Sequence, residues 1–146
     1  EVRSCGARIK LIEEGEISGC LAALAGKKAD IYMGYGFAPE GALVAAGISC
    51  LGGYFEGKIY YENDRDKNLA LAHGISDFEK IFKMEDLIIS KKELAIAATG
   101  VTDGEFLEGV RFTSEGAITT SFIARAETRT YRKLETTHFF DYKPVF

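Results

Sequence analysis

The run Gly34-Tyr35-Gly36-Phe37-Ala38-Pro39-Glu40-Gly41 limits the fold more than any other part of this chain. It follows a short apolar run, Ile31 to Met33, and precedes an apolar stretch of helical character that extends to Leu51. Glycines permit a tight turn and close backbone approach, and proline suits a first helical turn, so a strand is predicted to empty here directly into a helix. A helix start of this kind directs N–H groups at an anion. Glu40, in that first turn, is either a partner of the helix dipole or a ligand for a cation that accompanies the anion.

The same order occurs just upstream. Arg8-Ile9-Lys10-Leu11-Ile12 alternates as a strand does, Glu13 to Glu16 makes a turn, Ile17 to Ala25 is an apolar helix, and Ala29 to Met33 is a second strand. Strand, helix, strand, helix at this spacing predicts parallel pairing with right-handed crossovers. Both acidic turns then lie where strands run out, which brings Glu14, Glu16 and Glu40 toward one crevice. Further along, Tyr54 to Glu62 reads as a strand, Asn63 to His73 as a charged helix closed by Gly74, and Asp77 to Phe82 and Met84 to Ile88 as short helices. Leu94 to Ala98 is a buried strand. Val110 to Thr113, Ala117 to Arg125 and Thr130 to His138 are rich in β-branched and aromatic residues and predict antiparallel strands. The predicted class is therefore α/β. A parallel or mixed sheet with flanking helices occupies the first two thirds, antiparallel strands lie near the C-terminus, and residues 1–146 form a single domain.

Composition narrows the function. With 47% hydrophobic and 27% charged residues the chain has a core and is not disordered, and its apolar stretches are too short to span a bilayer. The net charge is −4 and basic residues do not cluster, which argues against nucleic acid as a partner. Cys5, Cys20 and Cys50 are widely spaced and only two histidines are present, so neither a zinc framework nor a disulfide scaffold is indicated. Each thiol is expected to be a buried small hydrophobe. Localisation is expected to be cytoplasmic. Residues 1–6 read as the tail of a helix ending near Gly6, which implies a natural polypeptide that begins earlier.

Three constellations could carry chemistry. Glu14-Gly15-Glu16 places two carboxylates around a glycine just after a strand, an arrangement that accepts hydrogen bonds from sugar hydroxyls. Acidic residues ahead of a helix also serve as caps and dipole partners, and Arg8 and Lys10 are available to pair with them. Gly34-x-Gly36 matches part of a dinucleotide fingerprint, but Pro39 takes the third glycine's place and Glu40 would repel a pyrophosphate. A divalent cation held by Glu40 and substrate phosphate removes that conflict. Thr99-Gly100-Val101-Thr102-Asp103-Gly104 has no lysine or arginine, so capping fits it better than phosphate binding. His138 lies in an aromatic strand and reads as structural.

Taken in order, ARIKLIEEGEI, ADIYMGYGFAPEGALVAAGISCLGG, FEGKIYY, AIAATGVTDGEFLEGVRF and GAITTSFIARAETRTYRKLETTH resemble the C-terminal half of the class II fructose-1,6-bisphosphatases. That bacterial group includes the cyanobacterial enzymes that also act on sedoheptulose 1,7-bisphosphate. The resemblance implies a layered sugar-phosphatase fold and hydrolysis of the 1-phosphate of a sugar bisphosphate with Mg²⁺ or Mn²⁺. It implies substrate contacts from Glu14, Gly15, Glu16 and Phe37, and a metal-associated carboxylate at Glu40. Two positions depart from the family pattern. Glutamates stand at 14 and 16 where the family usually has aspartates, and Phe37 stands where it typically has glycine. The acidic metal cluster of the family's N-terminal half is absent, so no catalytic residue is identifiable in this chain and a partner is implied, the N-terminal half on the same or a separate polypeptide. A homo-oligomer is also expected. The alternative reading is a non-catalytic sugar-phosphate-binding or oligomerisation module.

Overall fold

The computed structural model describes residues 1–13, 15–26 and 29–142. Its helices are α1 (Glu16–Gly26), α2 (Ala38–Leu51), α3 (Asp64–Ala72) and the single turn α4 (Met84–Leu87). Local chemistry sets their ends. In α2, Pro39 lies in the first turn and the Glu40 carboxylate reaches back to accept from the Phe37 N–H at 3.0 Å. The helix stops at Gly52, whose φ of 83° closes the last turn onto the Ile48 carbonyl. Asn63 caps α3 by accepting from the Asp66 N–H at 3.2 Å. At α4, Asp86 accepts from the Lys83 N–H at 2.8 Å and from the Lys80 ammonium at 2.7 Å, which together hold its carboxyl below the ordinary value.

The strands are β1 (Glu56–Lys58), β2 (Ile81–Lys83), β3 (Ala95–Thr99), β4 (Arg111–Phe112), β5 (Gly116–Arg125) and β6 (Thr130–Phe139). β1 and β2 form an antiparallel pair by themselves. The larger sheet is organised by β5, which pairs with β6 along its whole length, Gly116 opposite Phe139 through Arg125 opposite Thr130. A strand has two edges, so β3 and β4 share the other one, β3 against residues 121–125 and β4 against 117–118.

α2 lies between two clusters. On one flank Val44 and Ile48 pack with Cys20 of α1, together with Ile17, Leu24, Tyr32 and Phe55. On the other, Cys50 meets the inner face of the sheet at Phe122 and Ala124, with Ile96 and Ala98 of β3 beside them. Phe122, 1% exposed, is held between Phe106, edge-on at 4.7 Å, and Tyr131, stacked at 5.6 Å.

Several expectations change. Every ladder among the described residues is antiparallel. Residues 8–12 and 29–33, expected as a parallel pair, enter none of them, and no described residue hydrogen-bonds to their backbones from another strand. Of the strand expected over 54–62 only Glu56–Lys58 forms. The helix expected over 77–82 is a turn, tied by the Glu79 N–H to Asp77, followed by β2. Cys20 and Cys50 are buried as expected, and burial pushes both thiols up in pKa, but Cys5 is exposed. All three are free. No helix among the described residues is long and apolar enough to cross a membrane.

Truncating the side chain at the centre of the sheet removes two aromatic contacts and leaves a cavity. Phe122→Ala is expected to lower unfolding stability by about 3–5 kcal/mol, read from urea midpoints, whereas a loss under about 1 kcal/mol would contradict this packing.

Candidate functional site

The N-terminal turns of α1 and α2 open onto one cavity of about 410 Å³ lined by Glu13, Gly15, Glu16, Tyr35, Gly36, Phe37 and Glu40. Each lining residue has a local reason to be there. Gly15, at φ 93°, turns the chain into α1, and its carbonyl accepts from the Gly19 N–H at 2.7 Å and the Ser18 hydroxyl at 3.0 Å. That turn delivers Glu16 as the first residue of the helix. Glu40 arrives from α2, fixed by its bond to the Phe37 N–H.

Gly36 is where the two carboxylates meet. A Cβ built there would lie 2.9 Å from Oε2 of Glu40 and 3.2 Å from Cγ of Glu16, so both side chains crowd the space that glycine leaves open. Tyr32 packs at Gly19 and Gly34, within the electrostatic reach of Glu16. Burial first, then the charge of Glu16, pushes its phenol above the ordinary pKa.

Electrostatics limit what this cavity can hold. Three glutamates line it and no lysine or arginine does among the described residues. Lys10, a predicted partner of these acids, instead pairs with Glu105 at 2.5 Å. The start of α2 also has few donors to offer. The Phe37 N–H is taken by Glu40, the Glu40 and Gly41 N–H groups are taken by the Phe37 carbonyl at 3.0 and 3.1 Å, and Pro39 has none. Carboxylate oxygens therefore dominate, a hard donor set suited to hydroxyl groups or to Mg²⁺ and Mn²⁺ rather than to a bare anion. No group of three or more His, Cys, Asp or Glu side chains among the described residues is assembled to hold a metal. Glu40 is one of the three carboxylates that line the cavity, and the described residues assemble no complete metal-ligand set around it.

The sequence-predicted residues that the structure describes come together. Gly15, Glu16, Phe37 and Glu40 all line the cavity, and Glu14 lies outside the described residues. Phe37 leaves its ring on the open side, 78% exposed. Glu13 and Tyr35 were not singled out from the sequence. Their signal was position alone, each adjoining a motif residue. The other candidates resolve as structure. Thr99 bonds Ser121 at 2.8 Å, Asp103 accepts from the Gly109 N–H at 2.9 Å, and His138 meets the Thr119 hydroxyl at 3.0 Å.

Comparison with known proteins places this chain in a family. The chain is 37% identical over 154 aligned residues to the D-fructose 1,6-bisphosphatase class 2/sedoheptulose 1,7-bisphosphatase of Synechococcus elongatus, an alignment covering 97% of this chain and 44% of that protein. The identically described proteins of Microcystis aeruginosa and Gloeobacter violaceus are each 36% identical over the same shares. The chain thus spans less than half the length of these curated relatives. The family profile described as "Bacterial fructose-1,6-bisphosphatase, glpX-encoded" matches residues 1–138, and with that coverage the chain belongs to the glpX-encoded bacterial fructose-1,6-bisphosphatase family.

Proposed function

We propose that this chain supplies the sugar-binding wall of a metal-dependent bisphosphatase that removes the 1-phosphate of fructose 1,6-bisphosphate, and that the wall is completed by polypeptide the chain does not include. The observation that carries this reading is the meeting of Glu16 and Glu40 at Gly36, from two different helices, in one cavity. Its support from kinship is the printed activity of the relatives, which names sedoheptulose 1,7-bisphosphate as a second substrate. In this reading Glu14, Gly15 and Glu16 hold the sugar hydroxyls. Phe37 lies along the sugar face, and Glu40 helps hold Mg²⁺ or Mn²⁺. The cation, when bound, offsets phosphate charge and lowers the pKa of water. Water adds to phosphorus as the bond from phosphorus to the C1 oxygen breaks, which yields fructose 6-phosphate and inorganic phosphate. The complete enzyme would have the layered sugar-phosphatase fold and act in the cytoplasm.

One observation favours the alternative, a sugar-phosphate-binding module without catalysis. Among the described residues, which exclude Glu14, the glutamates that line the cavity do not form a group of three placed to hold a metal, as the phosphoryl chemistry of the enzyme reading needs. The two readings part on metal dependence.

Phosphate release from fructose 1,6-bisphosphate with Mn²⁺ is expected to be absent for this chain alone. It should appear when the chain is joined to the preceding part of the Synechococcus elongatus relative. A folded fusion that stays inactive on both bisphosphates would sink the enzyme reading. In the active fusion, Glu40→Gln is expected to lower turnover at least tenfold, a loss partly restored by raising Mn²⁺. Metal-independent binding of fructose 6-phosphate that ignores Glu40→Gln would favour the module.

Glu16→Gln tests the sugar contact separately. Replacing a charge-assisted acceptor is expected to weaken fructose 6-phosphate binding by roughly ten- to a hundredfold by calorimetry. An unchanged affinity would remove Glu16 from the site.

A further inference from the structure

The surface of this chain is too large for its mass. It exposes 11304 Å², whereas a closed monomer of 16.0 kDa has about 7,400 Å² by the usual scaling. Part of the excess lies on residues 7–12 and 29–36, the two segments that run into the cavity. Leu11, Ile31 and Met33 are 84, 76 and 81% exposed, and their neighbours Ile12 and Tyr32 are half-buried. The inward side chains have a known seat. Atoms of both Ile12 and Tyr32 occupy the space where a Cβ on Gly19 of α1 would stand.

Each segment therefore rests on α1 through one residue next to the cavity, Ile12 or Tyr32, and turns apolar side chains outward beside it, Leu11 in one and Ile31 and Met33 in the other. Apolar residues on both faces mark a strand covered on both faces, as in the interior of an α/β sheet. The backbone agrees. Among the described residues, no N–H or carbonyl of 7–12 or 29–36 has a backbone partner. The helices add direction. α1 and α2 pack side by side with both N-terminal turns at the same cavity, so they run in one sense and the chain between them must return along them. That is the geometry of two successive strand–helix units whose strands have no sheet to join.

We propose that residues 8–12 and 29–33 are a docking surface for the part of the relatives' polypeptide that this chain does not span. That polypeptide pairs its strands with these backbones and covers Leu11, Ile31 and Met33. The occupant follows from length, since more than half of each relative lies beyond the region matched here. It also follows from position. Both segments lead straight into Gly15, Glu16, Tyr35 and Phe37, so a layer laid over them brings new side chains to the open rim of the cavity. The inference rests on the reading that the site is completed by that polypeptide, and not on which phosphate is removed.

Hydrogen–deuterium exchange compares this chain alone with the fusion to the preceding part of the Synechococcus elongatus relative. Amides of 8–12 and 29–33 are expected to exchange at least tenfold more slowly in the fusion. Leu11→Asp with Met33→Asp should abolish that protection, and Ile89→Asp, at a side chain 98% exposed elsewhere, should leave it intact. Unchanged exchange in a folded fusion overturns the proposal. So does protection in the isolated chain that grows with its concentration, which would make the occupant a second copy of this chain. If the separate halves are soluble, the same variants should weaken their association at least tenfold, and equal affinity overturns the docking surface. None of these readouts involves phosphate release. A fusion that protects both segments but hydrolyses nothing defeats the bisphosphatase reading alone, and an active fusion without protection defeats this one alone.

Discussion

Two apolar helices lying side by side in the same sense are the constraint on which the rest of this structure depends. Cys20 of α1 against Val44 and Ile48 of α2 fixes their spacing, and that spacing decides how far apart Glu16 and Glu40 stand. Each helix contributes one carboxylate from its first turn. Had the pair been antiparallel, one of the two would lie at the far end of the bundle. The sheet matters to the site only indirectly, as the surface on which Cys50 and its neighbours set the other flank of α2.

Much of this was legible in the sequence, for reasons that can be named. The helices were readable because their ends are chemically marked: Pro39 and Glu40 at the start of α2 and Gly52 at its end, Asn63 before α3. β5 and β6 were readable because long β-branched runs separated by a short turn have few alternatives. The cavity residues were readable because an acid beside a glycine at a helix start is a compact and local signal.

What failed was whatever depends on a partner far away in sequence or outside the chain. Residues 77–82 have the composition of a helix, but Ile81 to Lys83 pair with Glu56 to Lys58, and long-range pairing overrides local preference. The reading of 8–12 and 29–33 as paired strands failed, since neither segment enters a ladder. Alternation is written in the residues, whereas a ladder needs a second backbone. The phosphate-attracting role assigned to the start of α2 also changed, because the sequence does not show that the helix spends its first donors on itself.

The two open flanks of the molecule are built differently. β6 is the outer strand of its sheet, ten residues long, and it carries Arg132, Lys133 and Glu135 along that border. Charges of this kind deter a stray chain from adding itself to an edge, and they let such an edge meet water indefinitely. The flank beside the cavity has no such guard at Leu11, Ile31 or Met33. In isolation this chain should therefore adhere most readily beside the cavity, where Leu11, Ile31 and Met33 stand exposed without a charge interleaved between Ile31 and Met33. Its solubility becomes a report on whether the unguarded side has been filled.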